Sequence, residues 1–168
     1  MQALCLHAGP KAREWIARNG LSPADIATVP GAAGGPKGLV LGPLDRFLFG
    51  DWLPRSRQRI DLVGASIGAW RMATACLDDP VAAFARLERD YIAQHYEPAP
   101  GRKRPLPRDV SALFGANLRD FYGPQDGPGV SAVLQHPRYR LHLVTSRGRH
   151  MLRREHGLAT PLGYLGAF

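Results

Sequence analysis

The sequence predicts an α/β fold, a mostly parallel sheet flanked by helices, in a single domain spanning residues 1–168. Two observations carry that expectation. Three strand candidates, "IATVP" (26–30), "RIDLVGA" (59–65) and "YRLHLVTSRG" (139–148), are separated by helical stretches. Strands that alternate with helices close most simply into parallel pairs joined by crossovers. The second strand is also a near-continuous apolar run, as expected of a buried parallel strand. The chain of 168 residues is long enough for a real core, and its apolar content of 45% is ordinary for a globular domain.

The elements follow in order. "PKAREWIARNG" reads as a short helix with Trp15 and Ile16 on one apolar face and Gly20 as its C-cap. Ser22-Pro23 reads as an N-cap followed by proline at the first helical position. The first strand leads into the glycine-rich loop "GAAGGPKG" (31–38). "LVLGPLDRFLFGDWL" (39–53) has helical spacing, and Pro43 predicts a kink or a new start. After the second strand, residues 67–77 read as a helix, and Asp79 caps another, "VAAFARLERDYIAQHY". Residues 97–109 form a Pro- and Arg-rich connector, expected to be exposed and mobile. "VSALFGANLRDFYG" and "VSAVLQH" are helical, with "PQDGPG" (124–129) a loop between them.

Composition narrows the function classes. No run reaches the roughly 18 apolar residues of a membrane span, and the N-terminus lacks a signal-peptide pattern, so a cytoplasmic setting is expected. Cys5 and Cys76 form neither a disulfide framework nor a metal pair and are expected to be free, buried thiols. No paired histidines or carboxylates have metal-ligand spacing, and neither a metal nor a cofactor is implied. The net charge of +8 and pI near 10.2 would attract anions. Only Lys11, Lys37 and Lys103 are lysines, however, and richness in Arg, Ala, Gly and Pro fits a GC-rich coding bias. Nucleic acid is therefore not an expected partner. Arg102, Lys103, Arg104, Arg147, Arg149, Arg153 and Arg154 are candidate contacts to an anionic membrane, although such residues more often form a solvated face.

The chemistry concentrates in two glycine motifs. Gly64-x-Ser66-x-Gly68 matches the nucleophile elbow, in which a serine on a sharp strand-to-helix turn exposes its Oγ above a sheet. Glycines two positions away on either side allow close strand–helix approach. The following helix directs its N-terminal dipole at developing negative charge. Acyl transfer also needs donors preorganised around an oxyanion. The loop Ala33-Gly34-Gly35-Pro36-Lys37-Gly38 can present several backbone N–H groups, with the Lys37 cation nearby. It does not fit phosphate-binding loops. The P-loop pattern would need Gly at 36 and Ser or Thr at 38, and the dinucleotide pattern fails at Ala33.

A glycine loop ending in x-[KR]-G, followed about thirty residues later by a strand and G-x-S-x-G, resembles the patatin-like phospholipase family. The family's G-G-G-x-[RK]-G motif aligns with Ala33 to Gly38, with Ala33 in place of the first glycine. The resemblance covers residues 26–78 and extends more loosely to the strand at 140–146. It implies a three-layer sandwich and hydrolysis of lipid acyl esters. Ser66 would be the nucleophile, Gly64 and Gly68 would shape its elbow, and the oxyanion hole would form at Gly34, Gly35, Lys37 and Gly38.

The family's base is an Asp in a downstream Asp-Gly-Gly or Asp-Gly-Ala, and this chain has neither. Its one Asp-Gly, Asp126-Gly127, lies in a polar loop about sixty residues after Ser66 and reads as a turn. The absence implies the N-terminal part of a longer hydrolase, with low or no activity, because serine without a base is a weak nucleophile. A Ser–His–Asp hydrolase would use the same elbow and could draw on His95, His136, His142, His150 or His156. Alternation sets His142 off the apolar face of its strand. A non-catalytic protein of the same fold that binds acyl chains or membrane is the alternative from another class.

Overall fold

The computed structural model describes residues 5–98, 100–153 and 159–165. Its centre is a three-stranded parallel sheet in the order β1-β2-β3, with β1 at Thr28–Gly31, β2 at Ile60–Gly64 and β3 at Tyr139–Leu143. Val29, Leu62 and Leu141 lie side by side, as do Gly31, Gly64 and Leu143, so all three strands end level. β3 is shorter than the 139–148 expected. Its partner β2 turns away after Gly64, and past Leu143 the Val144 N–H makes one last bond, 2.8 Å to the Gly64 carbonyl.

The helices start where the caps predict. α1 (Pro10–Asn19) begins on proline and ends at Gly20, whose φ of 75° suits glycine. Ser22 caps a 3₁₀ turn, accepting the Ala24 N–H at 3.2 Å while its own N–H donates to Asp25 at 2.8 Å. The run at 39–53 is not one helix. A 3₁₀ turn (Gly35–Leu41) gives way to α2 (Gly42–Phe47), which restarts at Pro43, and a π-turn (Leu48–Trp52) follows. α3 spans Ile67–Thr74, and α4 spans Pro80–Ala93, with the Asp79 carboxylate accepting the Ala82 N–H at 3.0 Å. α5 (Pro107–Tyr122), α6 (Pro128–Leu134) and α7 (Ala159–Leu165) complete the described helices. α5 and α6 each take in a proline assigned by sequence to a loop, because proline is preorganised for a first helical turn.

The core lies on one side of the sheet. Ile60, Leu62 and Tyr139 meet Met72, Ala75 and Cys76 at and just beyond the end of α3, together with Phe49, Leu53 and Phe84. Phe49 sits at its centre, with its ring 5.7 Å from Phe84 and edge-on to Tyr139 at 5.8 Å. Val133 of α6 packs on the same side. Thr28, Pro30, Asp61, Val63, Arg140 and His142 occupy the opposite face, and none of them is buried. The expected three-layer sandwich is therefore corrected: among the described residues the sheet is covered on one face only. Strand order explains this. Two crossovers of the same hand, stepping in the same direction from β1 to β2 to β3, place both connections on one face.

α1 buries none of its residues; Trp15 is 54% exposed, and its indole N–H donates to Asp25 at 3.0 Å. One smaller expectation is corrected as well: Cys5 is exposed, whereas Cys76 is buried as expected and burial pushes its thiol up to about 12. Both thiols are free. No described helix is long and apolar enough to cross a membrane.

Candidate active site at the strand ends

The site forms where β2 passes into α3. Ser66 caps α3 with φ 53° and ψ −126°, a conformation that L residues rarely adopt. Such a residue stores on the order of 1–3 kcal/mol of strain, which persists only where the surroundings enforce it. Here the enforcement is close packing. A Cβ on Gly68 would lie 2.0 Å from the Gly31 carbonyl oxygen, and one on Gly64 would lie 2.5 Å from the Ala69 α-carbon. Only glycine lets α3 fold back this tightly over the ends of β1 and β2. The turn leaves Ser66 exposed, while Ile67 behind it is 3% exposed. The Ile67 N–H, first in the helix, has no intrahelical acceptor and is a natural oxyanion donor.

The glycine loop is anchored at both ends on the first turns of α3. At its start, the carbonyls of Gly31 and Ala32 border the Gly68 α-carbon. At its end, a Cβ on Gly38 would meet the Ile67 side chain at 2.9 Å and the Arg71 stem at 3.7 Å. Between these anchors, Gly34 and Gly35 face open space and Lys37 is exposed. Gly35 has φ 55°, a turn that favours glycine. The structure thus brings Gly38 against the elbow and places Gly34, Gly35 and Lys37 on the open part of the same loop.

A base does not join them. Ser66 makes no capping hydrogen bond, and no imidazole or carboxylate bonds to it among the described residues. His142 instead bonds through Nε2 to Asp61 at 2.8 Å, on the uncovered sheet face. His136 precedes β3 at the far end of the sheet. Its Nδ1 accepts the N–H groups of Arg138 and Tyr139 at 3.2 and 2.8 Å, and burial lowers its pKa. His95 is exposed after α4, His150 opens a 3₁₀ turn, and Asp126 is an exposed turn residue. His156 and Arg154 lie outside the described residues. Arg102, Lys103, Arg104, Arg147, Arg149 and Arg153 are all exposed. No group of acidic, histidine or cysteine side chains among the described residues could hold a metal ion.

An apolar groove of about 550 Å³ opens one helical turn beyond Ser66. Ala69 and Ala73 of α3, Leu118 of α5, Val130 of α6, and Leu141 and Leu143 of β3 form its apolar walls. Tyr122 closes its base, donating to the Trp70 carbonyl at 3.2 Å and bonding Thr74 Oγ1 at 3.2 Å, and burial raises its pKa to about 12. Sequence reasoning missed this groove, because its walls come from segments far apart in the chain. It also missed Gly31, Ile67, and a buried ion pair between Arg71 and Asp45. No local pattern marks that pair, since Asp45 sits beside Arg46 and its partner lies 26 residues further on.

No family model, curated protein or solved structure matches this chain.

Proposed function

We propose that this chain is a serine acyl hydrolase of patatin-like type whose substrates are lipid esters. The observation that carries the reading is Ser66 itself, held at φ 53° on a strand-to-helix turn beside a glycine loop. In this reading Ser66 Oγ attacks the ester carbonyl carbon. In it the N–H of Ile67 and the amides of Gly34 and Gly35 would donate to the oxyanion, with Lys37 adding positive charge, while Gly38, whose own N–H is taken up within the 3₁₀ turn, would only seat the loop on the elbow. Collapse of the tetrahedral intermediate expels the alcohol and leaves an acyl-Ser66, which water hydrolyses to the fatty acid. The groove beginning at Ala69 supports a long acyl group, being apolar and within the size range of ligand pockets. The exposed arginines would suit the anionic surface of a cytoplasmic membrane.

Proton removal from Ser66 has no hydrogen-bonded acceptor among the described residues, so slow turnover is expected. That observation favours one second reading, a protein of the same fold that binds acyl chains without hydrolysing them. Intact-mass detection of a fluorophosphonate adduct separates the two. An adduct on the wild type and none on Ser66→Ala supports the hydrolase. No adduct on the wild type leaves the binding protein. Ester turnover at ordinary enzyme rates would overturn the expectation of a slow site.

A further inference from the structure

We propose that the buried Arg71–Asp45 pair is a positioning device that fixes the glycine loop relative to Ser66; its catalytic consequence rests on the hydrolase reading above. Arg71 lies one turn after Ile67 on the same face of α3. Its Nε donates to one Asp45 carboxylate oxygen at 2.6 Å and its Nη2 to the other at 2.7 Å. The stem of the same side chain runs past Gly38, the last residue of the glycine loop, where an added Cβ would lie 3.7 Å from Arg71 Cδ. Asp45 lies on α2, which continues directly from the 3₁₀ turn that carries Gly35 to Leu41. One side chain of the elbow helix therefore runs beside the end of the loop and ties down, through its head at Asp45, the helix into which the loop leads.

The energetics argue that this pair is not there for stability alone. Both side chains are less than a tenth exposed, whereas every other ion pair among the described residues has at least one partner more than a third exposed. Desolvating two charges offsets most of their attraction, and well-packed apolar residues often serve stability as well. What apolar residues lack is direction. A bidentate guanidinium–carboxylate pair fixes both distance and angle between the two helices. The direction it fixes is that of the amides proposed to meet the oxyanion.

The test compares the wild type with Arg71→Lys and with the double variant Arg71→Met/Asp45→Leu, using the full chain. Three quantities are read: the thermal midpoint, amide hydrogen exchange over residues 31–41 against β2 and α4, and the rate of fluorophosphonate labelling of Ser66. The expected result is a folded double variant with faster exchange confined to 31–41 and labelling slowed about tenfold or more, the scale of a misplaced catalytic group. Arg71→Lys keeps the charge but loses the fork, and should show the same local effect if the double variant fails to fold. Unchanged exchange over 31–41 in a folded variant overturns the proposal. So does faster exchange with an unchanged labelling rate. A wild type that never labels removes the hydrolase reading, while exchange still decides whether the pair fixes the loop.

Discussion

The two faces of the sheet have the same strands and opposite surroundings. On one face Ile60, Leu62 and Tyr139 are almost fully buried beneath α3, Phe49 and Phe84. On the other, Asp61 and Val63 are only half-buried and Arg140 and His142 are exposed. Adjacent residues of one strand therefore differ entirely in what their side chains contribute. The difference shows that strand order alone places the covering layer, and that the site owes its geometry to the covered side. α3 closes down on the strand ends, and that closure forces Ser66 into its turn.

The strongest way to break the comparison is to prevent that closure. Gly68→Ala puts a methyl 2.0 Å from the Gly31 carbonyl oxygen, and both groups are backbone, so neither can swing aside. A loss of about 3 kcal/mol or more is expected by urea unfolding, at or beyond the upper end of ordinary overpacking. Phosphonate labelling should be lost with it. Gly34→Ala is the counterpart on the open part of the loop, where a Cβ meets nothing within 4 Å. Its stability should stay within about 0.5 kcal/mol of the wild type, as for an ordinary surface change. Equal losses from both would mean that α3 does not rest on β1.

The next effect compares neighbours on β2. Leu62 is fully buried, and Leu62→Ala should cost about 2–5 kcal/mol, the range for a leucine removed from a core. Val63 is one residue on and faces the other way. Val63→Ala should cost about 1 kcal/mol or less, because little apolar area is lost from contact. Comparable costs in denaturant titrations would show that something covers the second face in solution.

Much of this arrangement was legible in the sequence, and the gaps have physical causes. G-x-S-x-G after an apolar run located the elbow, since only glycine at 64 and 68 permits the packing found there. The proline and asparate caps located helix starts, because those effects are local. The uncovered face was also legible in part: Asp61 within "IDLVG", and Arg140 and His142 within "YRLHL", alternate with apolar residues as a one-sided strand does. Reading "RIDLVGA" as a strand buried on both faces passed over Asp61. Trp15 shows a different limit. Apolar residues on a helix are buried only if the helix lies near the core, and sequence does not fix that distance. The Arg71–Asp45 pair and the groove depend on tertiary neighbours, so no local pattern specifies them.

The smallest expected effect lies on the uncovered face and is the sharpest probe of it. His142 Nε2 and Asp61 Oδ1 are 2.8 Å apart, with side chains 54% and 48% exposed. A polar contact this open is exchanged readily with water, and its coupling in a double-mutant cycle should be about 0–1 kcal/mol. His142→Ala, Asp61→Ala and the double variant, measured by denaturant unfolding, give that coupling. His142→Ala should also leave phosphonate labelling unchanged, because its ring is committed to Asp61 and makes no bond to Ser66. Loss of labelling to the extent seen for Ser66→Ala would instead make His142 the missing base, with Asp61 orienting it. A coupling well above 1 kcal/mol would mean the pair is dry, and so that a further layer closes over the second face of the sheet.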